Sequence, residues 1–145
     1  MKIRLFQADK GDCLLIESND GKHVLVDGGM RTSYDTHVAP ALGKLRVDGV
    51  KLDVVYVSHI DQDHIAGVLK MSDDLMAWKI YDFQSQNGNT HAQKPPVPRP
   101  PDFGRVWHNA FHEQIGENSG PIEDMLAARA RALTLIPEAF AKEAA

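Results

Sequence analysis

Two imidazoles and two carboxylates stand close together in Ser58-His59-Ile60-Asp61-Gln62-Asp63-His64. Imidazole nitrogen and carboxylate oxygen together suit Zn²⁺, Mn²⁺ or Fe ions. A β-branched run, Leu52-Asp53-Val54-Val55-Tyr56-Val57, leads straight into the block and reads as a buried strand. On a tight loop at a strand end, such ligands can converge on one spot. Two metals a few ångströms apart need a mixed cluster of this kind, with a carboxylate able to bridge them or to fix a water. The bland reading is a solvated polar loop with chance histidines. The spacing H-x-D-x-D-H, after a Val-rich strand and before an amphipathic helix, favours the metal reading.

The elements that must position this block are legible on both sides of it. Lys2-Ile3-Arg4-Leu5-Phe6 alternates with the period of a half-buried strand. Cys13 to Glu17 is a second strand and His23 to Val26 a third, joined by the turn sequence Ser18-Asn19-Asp20-Gly21. Residues 1–29 therefore read as an antiparallel meander that ends sharply at Asp27-Gly28-Gly29. Val38, Leu42 and Leu45 recur at helical spacing and predict a helix over 35–46, with Pro40 near its first turn. After the block a helix is expected from His64 to Met71, then a short strand from Trp78 to Phe83. The predicted order is β-β-β-α-β-motif-α-β.

Residues 84–104 differ in composition. Five of the eight prolines fall between Pro95 and Pro101, amid Asn, Gln and Gly, which predicts an extended loop or insertion. Long loops of this kind are usually functional or mobile. A further helix is expected to start at Pro121. The domain reading is 1–83 for a sheet-and-helix half and 84–145 for a Pro-rich loop with a helical insertion.

Composition bounds the function. The 145 residues amount to one domain, or part of a larger one. The formal net charge of −4 gives no sign of a broad basic surface for nucleic acid, although a metal centre can hold phosphate without one. The single cysteine, Cys13, excludes an internal disulfide framework and favours a reducing, cytoplasmic setting. No apolar run approaches the ~20 residues that cross a bilayer, so no membrane partner is expected.

The sequence resembles the metallo-β-lactamase fold superfamily. The usual signature there is H-x-H-x-D-H after a strand, and Asp61 stands where the second histidine normally sits. The chain is therefore most similar to the hydrolase branch of ComEC-type DNA-uptake proteins, which reads S-H-x-D-x-D-H-x-x-G. Ser58 and Gly67 match it. Gly11-Asp12-Cys13-Leu14-Leu15-Ile16 and Val24-Leu25-Val26-Asp27-Gly28-Gly29 resemble two earlier blocks of that branch, in the right order.

The resemblance implies an α/β (α+β) fold, the N-terminal half of an αββα sandwich. It implies two divalent ions, Zn²⁺ or Mn²⁺ with Mg²⁺ as a further option. His59 and Asp61 would help bind the first ion, and Asp63 and His64 the second. Asp63 would also be catalytic, orienting the attacking water. Asp27 and Ser58 would support the ligands from behind, although Asp27 also reads simply as a turn residue. An aspartate in place of a neutral imidazole makes the site harder and shifts it toward Mn²⁺ or Mg²⁺. The implied activity is metal-dependent hydrolysis by a nuclease acting on DNA phosphodiesters, in the setting of a bacterial defence effector. The insertion would then be a regulatory or proteolytic segment.

The family's later ligands are not found after residue 84. A C-terminal half or a second polypeptide is therefore expected to complete the site. The alternatives are a small-molecule esterase or lactonase of the same fold and a non-catalytic interaction module. His108 and His112, four apart, would share a helix face and are weaker candidates for substrate or metal contact.

Overall fold

The computed structural model describes residues 1–108. Its first three strands are β1 (Lys2–Leu5), β2 (Leu14–Glu17) and β3 (His23–Val26). They form the expected antiparallel meander, with Ile3 opposite Ile16 and Leu15 opposite Leu25. The chain then turns at Asp27 and climbs through α1 (Arg31–Ser33), a π-helical turn (Tyr34–Val38) and α2 (Ala39–Val47). The wide turn has a local cause. Pro40 has no N–H to give to the ladder, and the Ala39 N–H reaches back to the Tyr34 carbonyl instead.

The next strand, β4 (Val54–Val57), lies parallel to β3, with Leu25 beside Val55. A 25-residue helix, α3 (Gln62–Gln86), follows directly from the motif. The last described strand, β5 (Val106–His108), is parallel to β4 and completes a sheet of order β1-β2-β3-β4-β5. This is a mixed α/β architecture consistent with an N-terminal part of a metallo-β-lactamase fold.

Two expectations are corrected. The strand expected from Trp78 to Phe83 is the second half of α3. Val68, Met71, Leu75 and Trp78 are buried at spacings of three and four, so one apolar stripe runs through the polar stretch Ser72-Asp73-Asp74. Neither Gly nor Pro interrupts the chain between Gly67 and Gly88. The helix expected around His108 is strand β5, drawn into the sheet by the Val55 N–H on the Arg105 carbonyl at 2.8 Å. His112 and the helix expected from Pro121 lie outside the described residues.

The strand register sorts the sheet into two chemically different faces. Leu15, Leu25 and Val55 form a buried row under the helices, with Val57, Val38, Leu42, Val68 and Met71 filling the core above it. The opposite face carries two apolar rows. One is Ile3, Ile16, Val24 and Val54; the other is Leu5, Leu14, Val26, Tyr56 and Trp107. Ile3, Leu5 and Trp107 on it are more than half exposed, and the remainder are half-buried.

The Pro-rich segment is extended, as expected, and it is pinned down. The Trp78 indole N–H donates to the Val97 carbonyl at 3.1 Å. Arg99 grips Asp82 through both terminal nitrogens, at 3.2 and 2.6 Å. Pro100 and Pro101 are fully buried. Planar two-point pairing and a buried proline pair both fix the chain at little entropic cost.

The start of α3 meets the β3–α1 turn backbone to backbone. The Gly28 N–H donates to the His64 carbonyl at 2.8 Å, and the Gly67 N–H to the Gly29 carbonyl at 3.0 Å. A Cβ on Gly67 would stand 2.0 Å from the Gly28 carbonyl oxygen. Gly67→Ala is therefore expected to cost about 3 kcal/mol, the upper range for overpacking a fixed contact. At Gly21, with φ +78° and nothing within 4 Å of an added Cβ, the same change costs only the left-handed backbone penalty of about 1 kcal/mol. Urea unfolding of the two variants measures the difference.

Candidate metal centre

Three loops converge at the carboxyl ends of β3 and β4, where open α/β sheets place their ligand crevices. The β3 loop brings Asp27, the β4 loop brings Ser58 to Asp61, and the first turn of α3 brings Asp63 and His64. The β1–β2 loop folds over them. A Cβ on Gly11 would lie 2.0 Å from the Asp63 carbonyl oxygen, so only a glycine lets that loop pass.

Asp27 organises the centre. Its side chain is 2 % exposed, and its backbone is left-handed, at φ +56°. Aspartate tolerates that conformation better than most residues, because its short polar side chain can bond locally. One carboxylate oxygen accepts the Ser58 backbone N–H at 2.7 Å. The other accepts the Ser58 hydroxyl and stands 3.0 Å from His64 Nδ1. A carboxylate only accepts, so His64 Nδ1 carries the proton. In the neutral ring this leaves the Nε2 lone pair free, the arrangement in which a histidine ligates metal.

The electrostatics agree with the contacts. The Asp27 hydrogen bond raises the His64 pKa above its ordinary value, burial opposes it, and the charges of Asp27, Asp63 and Asp12 add to it. Asp12 is a residue that reading by motif missed. It lies within the Gly11-Asp12-Cys13 segment, but only the folding of the β1–β2 loop brings its charge to bear on His64.

The structure gathers the sequence-predicted residues unequally. His64 is held, with 20 % of its side chain exposed, and its Nε2 lies 3.9 Å from the Asp63 carboxylate. The His59 ring packs edge-on to the His64 ring, with centroids 5.7 Å apart. His59 Nδ1 and Asp61 face each other at 3.2 Å, both with more than half of the side chain exposed. Asp61 also begins α3, its carbonyl accepting the His64 and Ile65 N–H groups at 2.9 and 3.0 Å. His108 sits at the end of β5 in register with Val57, on the same sheet edge as the motif.

Among the described residues, no three His, Cys, Asp or Glu side chains meet as a ready metal cage. The donor chemistry nevertheless fits a divalent cation. An imidazole is fixed so that its neutral form leaves Nε2 free of the proton, a carboxylate lies within 4 Å of it, and a second imidazole and carboxylate stand on the same short loop. Bound metal requires deprotonated ligands of these types.

Residues 7–77 match the family model described as the metallo-beta-lactamase superfamily. No curated protein and no solved structure matches the chain. The matched segment contains Asp12, Asp27 and the whole H-x-D-x-D-H block. That superfamily is mostly hydrolytic and usually binds divalent metals, mainly zinc, so the match points to a metal-dependent hydrolase in general. No helix of the described residues is long and apolar enough to cross a membrane.

Cys13 sits beside this centre but is not chemically available. It is 2 % exposed, and burial, with the Asp27 charge adding to it, pushes its thiol up to about 12. The thiolate is the reactive form. Labelling with a disulfide reagent at pH 8 should be at least about a hundredfold slower in the folded protein than in urea. Equal rates would show that the β1–β2 loop opens freely over the site.

Proposed function

We propose that this chain is a metal-dependent phosphodiesterase acting on DNA, with its centre on His59, Asp61, Asp63 and His64. The observation that carries the reading is the Asp27–His64 pair. A buried carboxylate that holds the Nδ1 proton and leaves Nε2 outward is the support a metal-binding histidine needs. When bound, a divalent ion would supply an activated water and neutralise charge developing on a phosphoryl oxygen.

The residues divide that work. Asp27 fixes the tautomer and orientation of His64. Ser58, tied to Asp27 by its N–H and its hydroxyl, sets the path of the loop that carries His59 and Asp61. Asp63, in the first turn of α3, lies where the helix dipole favours an anion. Its carboxylate would orient the attacking water. His108, on the neighbouring strand end, would contact substrate or metal from the β5 side.

The choice of DNA over an ester rests on Asp61. An anionic ligand in place of a neutral imidazole hardens the site and favours Mn²⁺ or Mg²⁺ over Zn²⁺. Such ions suit phosphoryl oxygen. The same residue aligns the block with the ComEC-type branch, and the defence setting follows only from that likeness. An esterase or lactonase remains the second reading.

The proposal includes a further layer of protein. Two apolar rows on the open sheet face call for a covering β-layer, supplied by a C-terminal half or a second polypeptide. That layer would bring the remaining ligands.

A plasmid-cleavage assay with Mn²⁺, Zn²⁺ and EDTA arms tests the activity. Cleavage in Mn²⁺ is expected, with loss in EDTA and a loss of at least about a thousandfold in Asp63→Ala. Turnover of esters with no cleavage of DNA would select the second reading. Asp27→Asn tests the support role separately. By calorimetric titration it should weaken Mn²⁺ binding about 10- to 100-fold. Unchanged affinity would leave Asp27 a turn residue only.

A further inference from the structure

A cavity of about 920 Å³ opens between α2 and the 94–99 strap, well away from the motif. Trp78 in its wall lies about 22 Å along α3 from Asp63, at about 1.5 Å per residue. The volume falls within the range of small-molecule sites, about 300–1,000 Å³.

The wall is chemically divided. Its apolar part is made by Trp78, Val47, Val97 and the strap prolines. Four cations line it, Lys44, Arg46, Lys94 and Arg99, against one acid, Asp48. The whole chain carries a net charge of −4, so this positive charge is local. Arg46 is neutralised by Asp102 at 3.0 Å, and Arg99 by Asp82. Lys44 and Lys94 form no ion pair among the described residues, and the Lys94 ammonium stands 5.4 Å from the Trp78 ring centroid. Arg99 also keeps one unspent donor, because its Nε is buried with no acceptor.

We propose that this groove binds a small amphiphilic organic anion. The apolar body would lie on the tryptophan–proline wall, and the carboxylate or phosphate head would face the cationic rim of Lys44 and Lys94. A bare polyanion such as a nucleic-acid backbone gains nothing from the apolar wall. A neutral hydrophobe leaves the ammonium groups unanswered. Only a ligand with both parts uses the whole surface. The proposal is independent of the catalytic reading, since none of these residues belongs to the motif.

Trp78 is its own reporter. The chain has two tryptophans, so Trp107→Phe leaves emission from Trp78 alone. Titrating the full chain with decanoate should give a saturable change. Decanol should bind at least about tenfold more weakly and inorganic phosphate should give no change, because each offers only half of the ligand chemistry. The double variant Lys44→Ala, Lys94→Ala should weaken decanoate about tenfold and leave decanol and the unfolding temperature unchanged. Calorimetry on the unsubstituted chain repeats the ranking without the Trp107 change. No saturable response to decanoate, equal binding of decanoate and decanol, binding of phosphate as tight as decanoate, or an unaffected double variant would each overturn the proposal.

Discussion

The fold around the motif hangs on one buried carboxylate. Asp27 ends β3, yet its oxygens are shared by Ser58 at the end of β4 and His64 in the first turn of α3. Three elements distant in sequence are thereby locked at one point. Removing such a group would leave a buried N–H without an acceptor, a cost of about 1–3 kcal/mol before any loss of function. The glycine contact beside it has the same purpose in steric terms. Gly28 and Gly67 let the turn and the helix touch through their backbones. Any side chain there would push α3, and His64 with it, off the sheet.

The polar interior is not confined to that point. Lys70 is nearly buried on α3, between Asp74 on the same helix and Asp35 in the π-helical turn, at 3.2 Å from the latter. Burial holds Asp74 above the ordinary carboxylate range, against the pull of Lys70. This pair ties the helix layer together about two turns beyond His64. Among the described residues, the opposite sheet face has no such polar tie. Its rows are apolar throughout, so any cover must come by hydrophobic contact rather than by ion pairing.

The strap links the far end of α3 to the strand edge. Its prolines limit the freedom of the unfolded chain, and the Trp78 and Arg99 contacts limit that of the folded one. By fixing residues 97–101, the strap delivers β5 to the parallel edge of β4. His108 thus shares an edge with the motif without any helix to carry it.

The sequence by itself determined a good deal. Alternation and turn chemistry specified the meander, because period two and Asp-Gly turns are local properties. The H-x-D-x-D-H block marked the candidate loop, since its residue types and spacing need no knowledge of the fold. The Val-rich run announced a buried strand for the same reason. Tertiary structure decided the rest. The Trp78–Phe83 segment reads as a short strand on its own, yet it is helical because buried Trp78 continues the stripe of Val68, Met71 and Leu75. His108 reads as helical beside His112, yet it pairs with β4 because the strap holds the chain there. Asp12 carries no local mark of its influence on His64, which arises only when its loop closes over the motif. In each case the deciding contact joins residues far apart in the chain, and a local pattern holds no record of such a contact.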